Sequence, residues 1–219
     1  MEQSSAAKSP KWMWPAFAIP AAGFLIALAV DNETVRIALK AIPVLVLALA
    51  VWSTAPRTQY RLLVSVGLLF GAGGDLLLEK DLFVFGLVSF LVGHLFYVPA
   101  FLGDTREPKL LLGIPYLAFG VGLTVFLAEG AGDLLIPVAV YAVVLSVMGW
   151  RAAARIGAVP RVTATATAIG AASFIVSDAI IAIDRFNSDI AGARWWIMTT
   201  YWLAQGLIAY GAIKHESRS

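Results

Sequence analysis

The chain has 219 residues, of which 60% are hydrophobic and only 14% carry a formal charge, against about 25% charged in soluble domains. With a mean hydropathy of +0.83 this excludes a water-soluble globular enzyme, and a net charge of only +2 without a basic stripe excludes a nucleic-acid binder despite a pI ≈ 9.0. The absence of cysteine removes disulfides, thiolate chemistry, Cys-based zinc sites and iron–sulfur clusters.

Apolar stretches recur, separated by short polar turns. They predict eight membrane spans, over 14–30, 36–53, 60–78, 82–102, 109–128, 134–150, 162–183 and 195–213. Each is close to the ~20 residues that carry a helix across a ~30 Å hydrocarbon core. Backbone polar groups in lipid must satisfy one another, and no period-two alternation suggests a β-barrel. The expected fold is all-α, a polytopic membrane helical bundle. The domain reading is a polar N-terminal tail over 1–13, a single transmembrane domain over 14–213 and a C-terminal tail over 214–219. No cleavage pattern follows the first apolar stretch convincingly, so it reads as a span rather than a signal peptide.

Orientation follows Lys and Arg. With the N-terminus inside, 11 of the 16 fall on inner segments, among them Lys8, Arg57, Arg151, Arg155 and Arg218. The other 5 are Arg36, Lys40, Lys80, Arg185 and Arg194. Both termini are therefore expected to be cytoplasmic. Short loops point to a bacterial cytoplasmic (inner) membrane. Loops this short hold no second catalytic domain, so chemistry must occur in the bilayer or at its surface. Small-residue runs such as Gly67-x-x-x-Gly71 are expected to let helices approach closely.

Ionisable groups inside spans cost ~2.5–3.5 kcal/mol on insertion scales and are usually inward-facing and functional. Four qualify: Lys40 in the second span, Asp75 in the third, His94 in the fourth and Asp178 in the seventh. Lys40, Asp75 and Asp178 lie about one to two turns below the same outer boundary, which suggests one polar pocket. Tyr97 follows His94 by one turn, and Tyr201 and Gln205 share a face of the eighth span. Glu79 lies one turn beyond Asp75, where it could line an entrance. Ser177 precedes Asp178 but points elsewhere on the helix.

Two carboxyls close together in low dielectric cannot both ionise cheaply. One would stay protonated and serve as a general acid, and the other would remain ionised, the arrangement used for acid-catalysed hydrolysis through an oxocarbenium-like state. Three-histidine zinc chemistry is excluded, because only His94 and His215 exist and His215 lies in the polar tail. No nucleophile elbow surrounds Ser177. No cofactor or metal is expected.

Gly74-Asp75-Leu76-Leu77-Leu78, then Phe85-Gly86-Leu87, Phe90, Gly93-His94 and Tyr97, resembles a signature block of the YhhN-like membrane family. Phe174, Ser177-Asp178, Phe186, Tyr201 and Gln205 resemble its closing block, and Lys40-x-x-Pro43 its N-terminal element. Together they cover roughly 36–211 in order. The family's characterised members are lysoplasmalogenases. The resemblance thus implies hydrolysis of a vinyl ether bond in a lysophospholipid drawn from the bilayer, with water as co-substrate and no nucleic acid as partner. It implies Asp75 and Asp178 as the catalytic pair. Lys40, Glu79, His94, Tyr97, Ser177, Tyr201 and Gln205 would line the pocket, Lys40 holding one Asp ionised or meeting the lipid phosphate. A proton-coupled transporter or channel using the same Asp, Lys and His residues is the alternative; access from one side only would favour the hydrolase.

Overall fold

The computed structural model describes residues 9–55 and 58–215; Lys8, Arg57 and Arg218 lie outside them. Among the described residues no strand forms, and the only sheet-like contact is an isolated bridge between Ile156 and Val159. The helices are α1 (Met13–Ala29), α2 (Glu33–Lys40), α3 (Ile42–Thr54), α4 (Gln59–Glu79), α5 (Phe83–Asp104), α6 (Leu110–Ala131), α7 (Leu135–Ala154), α8 (Arg161–Phe186) and α9 (Ala193–Ile213).

The stretch over 36–53 is divided. Pro43 has no backbone N–H to give the preceding turn, so α2 ends at Lys40 and α3 begins at Ile42 with the proline in its first turn. The break lets α2 carry a strongly charged face, with Arg36 and Lys40 both buried. The Asn32 side chain caps α2 by accepting from Val35 N at 3.1 Å. Tight turns elsewhere use left-handed residues, Asp31 (φ 53°) before α2 and Asp81 (φ 57°) between α4 and α5.

Length and hydropathy qualify five segments as membrane spans: Glu33–Thr54, Gln59–Glu79, Phe83–Asp104, Leu110–Ala154 and Arg161–Phe186. The fourth, of 45 residues, contains both α6 and α7, joined by a 3₁₀ turn at Gly132–Leu134. Large apolar side chains stand bare on the outside, including Leu111 at 83% exposure and Ile136 at 76%. Surface of this kind needs lipid to cover it, and the chain is an integral membrane protein.

Helices α4 and α9 form the centre, α4 packing on α5, α3, α2 and α9, and α9 on α8 and α3. Glycines set the spacing. Gly93 of α5 sits against the carbonyl of Gly67 on α4, so the two backbones nearly touch. At one end of the bundle, the end of α4 and the start of α9 meet α2 through the Glu79–Arg36 and Glu79–Arg194 contacts. At the other, the ends of α5, α7 and α9 converge through Asp104, Arg155 just after α7 and His215 two residues after α9.

Candidate functional site

Asp178 lies two turns from the end of α8 and is 7% exposed. The Tyr141 hydroxyl, from α7, donates to its Oδ2 at 2.5 Å. His94 of α5 brings Nε2 to 3.0 Å from the Tyr141 oxygen and 3.3 Å from the same Asp178 oxygen. Three helices thus place a phenol, an imidazole and a carboxylate in mutual hydrogen-bond range. The His94 ring packs edge-on against Phe174 at 4.6 Å, and its Nδ1 is buried with no partner.

Asp75, 2% exposed on α4, belongs to a different chain of contacts. The Tyr97 hydroxyl donates to Gln205 Oε1 at 2.7 Å. The Gln205 amide donates to the Tyr201 oxygen at 3.3 Å, which leaves the Tyr201 proton for Asp75, with which it bonds. The second oxygen of Asp75, Oδ2, is buried without a partner. This chain exists because α4 presents glycine at the right places. A Cβ on Gly67 would run into the Tyr97 ring, one on Gly71 into Gln205 and Tyr201, and one on Gly74 into Phe90. The Gly67-x-x-x-Gly71 run therefore clears space for site side chains as well as for a neighbouring helix. Phe90 stands between the two networks, edge-on to both Tyr201 and Phe174.

Glu79, one turn beyond Asp75, is 9% exposed and gathers cations. Lys40 Nζ donates to Oε2 at 2.8 Å and Arg36 Nε to Oε1 at 3.1 Å, while Arg194 reaches Oε1 at 3.8 Å. Arg36 also holds Asp31 at 2.7 Å.

Two cavities adjoin these groups. A charged vestibule of about 450 Å³ is lined by Lys40, Glu79, Asp81, Asp184, Arg185, Asp189 and Arg194 over an apolar floor. A small, mostly apolar cleft of about 40 Å³ is lined by Phe83, Leu87, Phe90 and Phe186 together with Asp178 and Tyr141. Leu78, Phe83 and Ile181 line both, so the two are contiguous. At the opposite end a cavity of about 280 Å³ is lined by Tyr60, Asp104 and His215 among others, and it shares no lining residue with the vestibule or the cleft.

The structure thus gathers His94 with Asp178, and Tyr97, Tyr201 and Gln205 with Asp75, but in two hydrogen-bonded groups. Lys40 makes its close contact with Glu79, one turn beyond Asp75. Ser177 does not face the cleft; its hydroxyl donates to the Ile197 carbonyl at 3.2 Å and joins α8 to α9. His215, read as part of the polar tail, is buried at 7% exposure. It stacks on Tyr60 with ring centroids 4.1 Å apart and meets Asp104 at 2.7 Å. Tyr141, Arg36 and Arg194 were not singled out in the sequence. Among the described residues no group of three His, Asp or Glu is placed to hold a metal ion.

Buried carboxylates on two helices of an all-helical bundle, one of them in the wall of an apolar cleft beside a charged mouth, mark a polytopic membrane protein suited to an amphiphile. The sequence profile of the YhhN family matches residues 35–212, and the chain belongs to that family. It is 37% identical to lysoplasmalogenase TMEM86B of Homo sapiens over 176 residues, 80% of this chain and 74% of that protein. The Rattus norvegicus lysoplasmalogenase TMEM86B is 31% identical over 211 residues, covering 93% and 84%. A lysoplasmalogenase of Mycobacterium tuberculosis is 35% identical over 158 residues, covering 66% and 58%. No solved structure matches.

Proposed function

We propose that the chain is a lysoplasmalogenase, hydrolysing the vinyl ether bond of a lysoplasmalogen to a fatty aldehyde and a glycerophospho-ethanolamine or -choline. The observation that carries this reading is the join between cleft and vestibule. An apolar cleft with Asp178 and Tyr141 in its wall lies against a charged cavity across Leu78, Phe83 and Ile181, the division of surface that a single-chain phospholipid presents. The similarity to named lysoplasmalogenases across most of the chain supports the same substrate.

The chemistry needs a proton delivered to the vinyl carbon remote from oxygen. That leaves an oxocarbenium ion, to which water adds at the adjacent carbon while losing a proton. The hemiacetal hydroxyl then loses its proton as the bond to the glycerol oxygen breaks and that oxygen takes a proton, and the aldehyde departs. One water is consumed and no net proton. We assign Asp178 the role of stabilising the cation and orienting the water. Its Oδ2 already collects Tyr141 and His94, and a carboxylate held by donors offers a fixed negative charge to a developing cation. Asp75 is the acid, since among the described residues it accepts from Tyr201 alone and its other oxygen has no partner. Phe90, which lines the cleft and packs on Tyr201, stands between them and must turn for Asp75 to reach substrate. The chain is further read as one transmembrane domain with eight crossings, both termini cytoplasmic and the vestibule on the outer side of a bacterial inner membrane.

The test is aldehyde release from lysoplasmenyl-ethanolamine by protein purified in detergent, with and without EDTA, beside Asp75→Asn and Asp178→Asn. Activity that resists EDTA and is lost in both variants is expected. Retention of activity in both would remove the two carboxylates from the mechanism.

A further inference from the structure

The vestibule is graded in charge from inside to rim. On its inner wall Lys40 and Arg194 flank the carboxylate of Glu79, which Arg36, outside the lining, also pairs, with Lys40 only 8% exposed. Arg36 spends its remaining contact on Asp31, but Arg194 makes no hydrogen bond among the described residues. Its side chain is 56% exposed and its 3.8 Å approach to Glu79 is loose, so most of the five guanidinium donors remain available. The inner wall is thus short of negative charge. At the rim, Asp81 on the α4–α5 turn and Asp189 on the α8–α9 loop are exposed and make no ion pair among the described residues, while the cation beside them, Arg185, lies over the Phe83 ring at 5.0 Å. Asp184, nearby, is occupied in capping that loop, accepting from Ile190 N at 2.8 Å.

We propose that the vestibule is a headgroup site that reads a zwitterionic phosphate–ammonium group in one direction, the phosphate against Lys40 and Arg194 and the ammonium against Asp81 and Asp189. This rests on the lysophospholipid reading above and deepens it. The order of the groups matches the order of the molecule. The vinyl ether carbons lie in the small cleft beside Asp178, the rest of the alkenyl chain runs out of it into the bilayer, and glycerol crosses the shared border at Leu78, Phe83 and Ile181. The phosphate follows, with the amine outermost. A volume of about 450 Å³ falls within the ~300–1,000 Å³ of ordinary small-molecule sites. Arginine suits the phosphate because its fork pairs two oxygens at once.

Three substrates separate the contributions: lysoplasmenyl-ethanolamine, the same lipid ending in phosphate without the amine, and 1-alkenylglycerol without phosphate. In Arg194→Gln, the kcat/KM ratio of the ethanolamine lipid to alkenylglycerol falls about tenfold, through KM, as expected for loss of a charged hydrogen bond. In Asp81→Asn/Asp189→Asn, the ratio of the ethanolamine lipid to the phosphate-only lipid falls about threefold, the scale of exposed ion pairs. Ratios equal to wild type in both variants overturn the proposal. If wild-type protein cleaves none of the three, the hydrolase reading fails instead. Equilibrium binding of the saturated 1-alkyl lysophosphoethanolamine, which has no vinyl ether to hydrolyse, then decides. A roughly tenfold loss of affinity in Arg194→Gln supports the headgroup site, and unchanged affinity overturns it.

Discussion

Replacing Gly71 by alanine adds one methyl group to the wall behind Gln205 and Tyr201. Its Cβ would stand 2.5 Å from Gln205 Nε2 and 3.0 Å from the Tyr201 oxygen. Non-bonded heavy atoms rest at about 3.5–4.0 Å, so the amide must retreat by about 1 Å. Gln205 is fully buried and has no solvent to retreat into. The overpacking costs about 1–3 kcal/mol, while alanine in place of glycine within a helix returns about 1 kcal/mol. The net change in stability is therefore about 0–2 kcal/mol, and the melting temperature in detergent should fall by only a few degrees. Activity should fall much further, because a displacement of about 1 Å in a positioning group can cost about a hundredfold. The assay is aldehyde release alongside a thermal melt. Gly122→Ala on α6 serves as the control, since nothing lies within 4 Å of its added methyl, and it should melt no lower than wild type. A Gly71→Ala protein with kcat within about threefold of wild type would refute a catalytic part for the Tyr97–Gln205–Tyr201–Asp75 chain.

Tyr141→Phe removes the hydroxyl at 2.5 Å from Asp178 while keeping the ring; kcat should drop by about ten- to a hundredfold, with little change in melting temperature. Glu79→Gln leaves Lys40 and Arg36 buried beside a neutral group and should destabilise the protein by about 3–5 kcal/mol, read as a clear fall in melting temperature that the exposed Asp81→Asn does not share. At the far end, Asp104→Asn breaks the 2.7 Å contacts to Arg155 and His215. It should lower the melting temperature while leaving kcat/KM for the ethanolamine lipid within about threefold of wild type at a temperature where both are folded; a far larger loss of kcat/KM would couple that end to catalysis.

The helical class and most helix positions were legible because hydropathy and length decide them in lipid. The divided helix was legible too in principle: Pro43 stands three residues after Lys40, yet an apolar run on both sides hid the break. Depth along the spans brought Lys40, Asp75 and Asp178 to one level, but level alone cannot separate Asp75 from Glu79, one turn apart on a single face. The structure resolves this through α2, whose break turns Lys40 toward the outer carboxylate. Tyr141 carries the one polar atom in the middle of an apolar stretch, LIPVAVYAVVLS, and a lone phenol there resembles ordinary packing until His94 and Asp178 arrive from other helices. Arg36 was counted only as a boundary charge, although its spacing from Lys40 puts both on one face. His215 looked like tail because a single chain position says nothing about Tyr60, which buries it by stacking.

The knot of charge at Glu79 draws on three separate helices, α2, α4 and α9. Pulling α2 away from α4 would strand buried ions in a poorly hydrated setting, so this wall of the mouth is held firmly. Facing it, the gap between α5 and α8 is closed by an edge contact of Phe83 on Phe186, with centroids 5.6 Å apart, and by Arg185 lying over Phe83 at 5.0 Å. Aromatic rings can turn aside without breaking an ion pair or baring a backbone amide. The mouth is therefore unevenly built: one wall is held by ion pairs that resist separation, the other by ring edges that can shift at little cost.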